Sequence, residues 1–114
     1  MKLIIAGSRH LKVSVDFIAQ ILDQQKLFPA EIVSGGATGI DTCAHRFAKD
    51  QKLVFALFEA DWKRNGKAAG HVRNLAMALY GDALLLIWDG KSKGSANMRA
   101  RMVALKKPIY EVIL

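Results

Sequence analysis

Four clusters of residues in this 114-residue chain carry groups suited to holding an oxyanion. The densest is Ser34-Gly35-Gly36-Ala37-Thr38-Gly39-Ile40-Asp41. Its glycines let the chain turn sharply and bring backbone N–H groups close to a ligand. Thr38 and Asp41 stand in capping-box order ahead of the apolar rhythm Ile40, Cys43, Ala44, Phe47, Ala48, which predicts a helix with its N-terminus at the turn. A helix N-terminus with free N–H groups suits phosphate, although the same glycines also serve a plain strand-to-helix turn. The other clusters are Gly7-Ser8-Arg9-His10; Glu59-Ala60-Asp61-Trp62 with Arg73-Asn74; and Asp89 through Ser95, which contains Ser92, Lys93 and Gly94. Each mixes hydroxyls, cations, carboxylates or glycine.

Other chemistries find less support. Asp41 and His45, at i and i+4, have the spacing of a proton-transfer pair, but a structural role for Asp41 at the helix start is the stronger reading. The turn after the first strand lacks G-x-G-x-x-G, and no G-x-x-x-x-G-K-[ST] occurs, which disfavours NAD-dependent redox chemistry and P-loop ATP hydrolysis. His10, His45 and His71 are isolated, and the lone Cys43 falls on an apolar stripe. No metal site, disulfide or certain cofactor is therefore expected.

The elements that must position these clusters alternate regularly. Apolar runs at Lys2–Ala6, Ile32–Ser34, Leu53–Phe58, Ala83–Trp88 and Ile109–Leu114 read as strands, the third covered on both faces and the fourth central. Four helical patterns separate them. The first opens at Ser14, with Val15, Ile18, Leu22 and Gln25 tracing one face that Phe17 and Ile21 broaden; the second follows Gly39. The third spans about Ala69 to Tyr80, with Val72, Leu75, Ala76 and Leu79 facing inward and Arg73 and Asn74 off that stripe. The fourth turns Met98, Met102 and Leu105 inward, exposes Arg99 and Arg101, and has Lys106 and Lys107 to complement its C-terminus before Pro108. Lys63–Gly70, basic and punctuated by glycine, reads as a mobile connection. This order predicts an α/β fold: a Rossmann-like three-layer α/β/α sandwich around a five-stranded, mainly parallel sheet, as a single domain over residues 1–114. Every polar cluster follows a strand, so all should meet at one edge of the sheet.

Lys plus Arg number 17 and Asp plus Glu 10, a net charge of +7 that favours anionic partners, although a basic surface also serves solubility. A hydrophobic fraction of 52% excludes an intrinsically disordered chain. With no apolar run of membrane-spanning length and no secretory leader pattern, a cytoplasmic protein without membrane partners is expected.

Taken together, the clusters resemble the SLOG superfamily, a Rossmann-like group that includes DNA-processing protein A and the LOG phosphoribohydrolases, and within it the YspA/YpsA-related branch. The resemblance covers nearly the whole chain. It rests on Gly7-Ser8-Arg9, Ser34 through Asp41 with Ala44-His45, Ala60-Asp61-Trp62, Gly66 through Gly70, Arg73-Asn74, and Ser92 through Ser95. Arg73 matches the arginine of the phosphoribohydrolases, whereas Met98 stands where their glutamate is expected. Glycosidic cleavage needs a carboxylate, so that activity is disfavoured unless Glu59, Asp61 or Asp89 supplies one.

The leading expectation is a domain that binds a nucleotide or nucleotide derivative, as sensor or sequestering module. Phosphate or ribose phosphate would lie on Gly7, Ser8, Arg9, Gly35, Gly36, Thr38, Gly39, Asp41, Arg73, Asn74, Ser92, Lys93, Gly94 and Ser95. Trp62 either stacks on the base or packs at a strand end. The alternatives are a nucleotide N-glycosidase with relocated carboxylates and, ranked lower for want of aromatics, single-stranded nucleic-acid binding. The resemblance also implies a homodimer or higher homo-oligomer.

Overall fold

A computed structural model describes residues 1–114. Five strands, β1 (Lys2–Gly7), β2 (Glu31–Ser34), β3 (Val54–Leu57), β4 (Ala83–Trp88) and β5 (Ile109–Ile113), form one sheet in the order β3-β2-β1-β4-β5. Every pairing is parallel, so all five C-terminal ends lie on one edge. The chain builds outward from β1 to β3, then crosses to the far side for β4 and β5. The order therefore reverses between β1 and β4, where a crevice opens beyond the strand ends.

Alternation along the strands divides the core into two layers. Leu3 and Ile5 of β1, with Leu85 and Ile87 of β4, pack against Ile18 and Leu22 of α1 (Val15–Gln24) and Phe47 of α2 (Ile40–Asp50). Ile4, Ala6, Leu84 and Leu86 pack on the opposite side against Met77 of α4 (Ala69–Tyr80) and Met98 and Met102 of α5 (Lys93–Ala104). The expected Rossmann-like sandwich is thus present. Ser14 caps α1 by accepting from the Phe17 N–H at 3.0 Å, and β4 is buried throughout as an interior strand between β1 and β5, although β1 rather than β4 is central. No helix is long and apolar enough to cross a membrane.

Several local expectations need correction. β3 is an edge strand with Val54 and Leu57 exposed, because β2 is its only pairing partner. The segment expected to be a mobile connection forms a short helix, α3 (Trp62–Asn65), and a 3-10 turn over Gly66–Ala68, held at its start by Asp61 accepting from the Arg64 N–H. α4 has the expected limits but the opposite rotation: Ala69, Asn74, Met77 and Ala78 are buried, while Val72, Leu75, Ala76 and Leu79 face outward. Lys107 serves α4 rather than its own helix, its Nζ donating to the carbonyls of Ala78, Leu79 and Gly81. Arg101 is half-buried rather than exposed.

Candidate functional site

Beyond the strand ends lies a cleft of about 570 Å³ lined by Arg9, Gly35, Gly36, Ala37, Thr38, Glu59, Ala60, Trp62 and Arg73. A smaller pocket of about 120 Å³ adjoins it, sharing Arg9, Ala37 and Arg73 and adding, among others, Asp41, Asn74, Ser92 and Ser95. Loops that follow four different strands therefore surround one space.

The floor is the β2–α2 turn. Gly36 and Gly39 both adopt positive φ, +73° and +76°, a conformation glycine enters without steric cost. Gly39 is the N-cap residue of α2 and makes no side-chain bond there. The expected capping box does not form, because the turn carries Thr38 outward to line the cleft. Asp41 bends back instead, and its Oδ2 accepts from the Ala37 N–H at 3.0 Å. The proton-transfer pairing with His45 is also absent: that ring stacks on Phe55, centroids 4.2 Å apart.

Asp41 is 7% exposed and sits near two arginines. Burial raises its pKa, while the Ala37 N–H and the charges of Arg73 and Arg9 oppose the rise. The Arg73 pKa is lowered, chiefly by burial and also by Arg9, with Asp41 pulling the other way. Arg73 reaches this position because α4 turns it inward: Nη1 donates to the Gly35 carbonyl and Nε to Asn74 Oδ1 at 3.0 Å. Asn74 in turn donates to the Gly94 carbonyl and Asn97 Oδ1, both at 3.1 Å, tying α4 to the first turn of α5.

The rim above α5 is organised by Asp89. Its Oδ1 accepts from the N–H groups of Lys91 and Ser92 at 2.8 and 2.9 Å, and Oδ2 lies 3.4 Å from His10 Nε2. Those two N–H bonds hold the Asp89 carboxyl below the ordinary range.

The expected site residues thus divide. Arg9, Gly35, Gly36, Thr38, Glu59, Trp62 and Arg73 line the cleft, and Gly7, Asp41, Asn74, Ser92, Gly94 and Ser95 line the smaller pocket. Ser8 is buried behind the rim, where its hydroxyl accepts from the Asp89 N–H at 3.1 Å. Gly39 is packed against the Arg9 carbonyl, and Lys93 is exposed outside both spaces. Of the three candidate carboxylates Glu59 alone lines the cleft; Asp61 and Asp89 cap α3 and the β4–α5 loop. Met98, buried, forms part of the small pocket's wall. His10, named only as part of the first cluster, supports Asp89, and Asn97, which had no signal in the sequence, supports Asn74.

The model of the YspA, cpYpsA-related SLOG family matches residues 1–65, which hold the first strand, the glycine turn and the third strand end. The chain belongs to this family. The SLOG domain is also 32% identical to the Gene 61 protein of Mycobacterium phage D29 over 104 residues, which cover 84% of this chain and 83% of that protein. Its backbone matches DNA processing protein A from Streptococcus pneumoniae with a TM-score of 0.74 and 22% identity, over 96% of this chain. The SLOG domain spans about half of that structure, 49% of its chain, and the likeness is one of fold. Arg73, Asn74 and the α5 loop lie beyond the family-matched residues, so their convergence on the glycine turn rests on the geometry described above.

Proposed function

We propose that this SLOG domain binds a nucleotide or nucleotide-derived ligand in the cleft at the C-terminal edge of its sheet, acting as a sensor or sequestering module. The supporting observation is the convergence of Arg9 and Arg73 on the Gly35–Thr38 turn in one cleft, with Trp62 on its wall. Two guanidinium groups and the amides of a glycine turn are the groups that bind phosphate oxygens. Trp62, 55% exposed, offers a face on which a base can stack. It is the one aromatic side chain among the cleft's lining residues, which favours a short ligand over an extended strand needing successive stacking platforms.

Thermal-shift and calorimetric titration with mono-, di- and cyclic nucleotides and ADP-ribose tests the reading, since a ligand of the native state raises stability by mass action. A binding nucleotide whose affinity falls on Arg73→Ala supports it; no stabilisation by any of them sinks it. The N-glycosidase reading rests on Glu59 alone, and its mark is release of free base that is lost in Glu59→Gln. For single-stranded nucleic acid, oligonucleotide affinity should fall steeply with salt, in proportion to the number of phosphates neutralised.

We also propose that the domain pairs with a second copy through the outward face of α4. Val72 and Leu79 there are 48% and 60% exposed. The single formal charge on α4, Arg73, is turned inward, so the helix's own side chains bring no like charges to a twofold contact.

A further inference from the structure

The smaller pocket pairs an acceptor with donors in a way that a bare phosphate does not satisfy. On one side stands the Asp41 carboxylate, buried and only partly hydrogen-bonded. On the other is the start of α5, a helix whose Ser92 cap makes no side-chain bond, leaving first-turn N–H groups to seek acceptors. Within that first turn is Ser95, 4% exposed, whose Oγ has no hydrogen-bond partner although it is buried and its residue lines the pocket. A buried hydroxyl without a partner is costly and marks a place where a ligand group belongs. The Asn74 amide cannot supply it, being committed to Gly94 and Asn97.

Phosphate dianion carries acceptor oxygens only and offers the Asp41 carboxylate no donor. An alcohol both donates and accepts. It gives its proton to a carboxylate and takes one from an N–H or a serine. The pocket's volume, about 120 Å³, suits a group the size of a pentose rather than a base with its sugar. It also opens off the cleft at Arg9, Ala37 and Arg73, next to the turn where phosphate is placed.

We infer that the small pocket is a sugar-hydroxyl subsite, in which Asp41 accepts from the vicinal hydroxyls of a ribose 5-phosphate moiety while Ser95 and the first turn of α5 complete their hydrogen bonding. This deepens the nucleotide-binding reading and rests on it. The ligand class narrows to ribonucleotides or ribose phosphates, and 2′,3′-dideoxy analogues are discriminated against. Burial of Asp41 works in the same direction, since a partly desolvated carboxylate gains more from hydroxyl donors than one in water.

The test is calorimetric titration with the four ribonucleoside 5′-monophosphates and their 2′,3′-dideoxy counterparts. For any base that binds, the ribonucleotide should be tighter by about tenfold or more, the size expected when a buried polar pair is left unmet. Asp41→Asn, checked for folding by circular dichroism, should collapse that ratio, read between the two series within the variant so that any common change in affinity cancels. Ser95→Ala, which removes one atom from a buried site, should narrow it and serves if the Asp41 variant does not fold. Equal affinities for the two series in the wild type overturn the sugar subsite and leave the nucleotide site standing. Binding by neither series overturns both. A ratio unchanged in both variants assigns discrimination elsewhere and also overturns the inference.

Discussion

Arg73 of α4 donates to the carbonyl of Gly35, a residue 38 positions earlier at the end of β2, and the absence of a side chain at Gly35 is what lets the guanidinium lie there. A Cβ on Gly35 would run into the Arg73 guanidinium. Gly35 is not among the residues with positive φ, so substitution there is costly through collision rather than through backbone strain. Gly35→Ala should therefore push the flexible end of Arg73 aside and lower stability by about 0.5–1.5 kcal/mol in denaturant unfolding, the net worth of the hydrogen bond it loses. It should also weaken nucleotide binding by displacing Arg73. Unchanged stability and affinity would mean that the arginine does not depend on this contact.

The rotation of α4 separates its two apolar-looking faces. Asn74→Ala strips a partner from Arg73 Nε, the Gly94 carbonyl and Asn97 together, and should cost about 1–3 kcal/mol. Leu75→Ala, on the outward face, should cost within about 0.5 kcal/mol in the monomer. The reverse ranking, measured by urea titration at low protein concentration, would restore Leu75 to the core.

The same face supplies a test of self-association. Leu79→Lys places a cation on each side of a twofold contact and should leave the folded monomer intact while halving the mass seen by light scattering at high concentration. A wild-type protein that stays monomeric throughout contradicts pairing through α4.

Asp89 gives the fold a pH dependence of definite sign. Its carboxyl titrates below the ordinary range because the Lys91 and Ser92 N–H groups stabilise the anion. A depressed carboxyl contributes stability in full above its unfolded value of about 3.9, and that contribution is lost as pH falls through the lower folded value. The difference in Tm between wild type and Asp89→Ala should be full near about pH 6 and narrow below about pH 3.9. A difference that widens in acid would show that the loop does not hold the charged form.

The alternation of strands and helices was legible because each apolar run ends in a polar cluster, and Gly7, Gly35 and Asp89 mark three of those ends in the residue order itself. That the clusters share an edge followed from parallel topology. The orientation of α4 was not legible, since both of its stripes repeat at helical spacing and the buried one carries Arg73 and Asn74. Their burial is offset by partners on β2 and α5 that no local pattern reveals. Likewise Leu53–Phe58 reads as an interior strand, and only the pairing order shows β3 at the margin.

The chain passes from one side of β1 to the other a single time, between β3 and β4. The groups around the cleft consequently come from separate stretches: Arg9, the glycine turn and Asp41 precede the passage, Arg73 lies within it, and Ser92 to Ser95 follow it. If the cleft binds as proposed, grafting a different Lys91–Ser95 loop onto an unaltered remainder would alter ligand preference with the glycine turn left in place, a modularity that lets sequence drift retune recognition without rebuilding the scaffold.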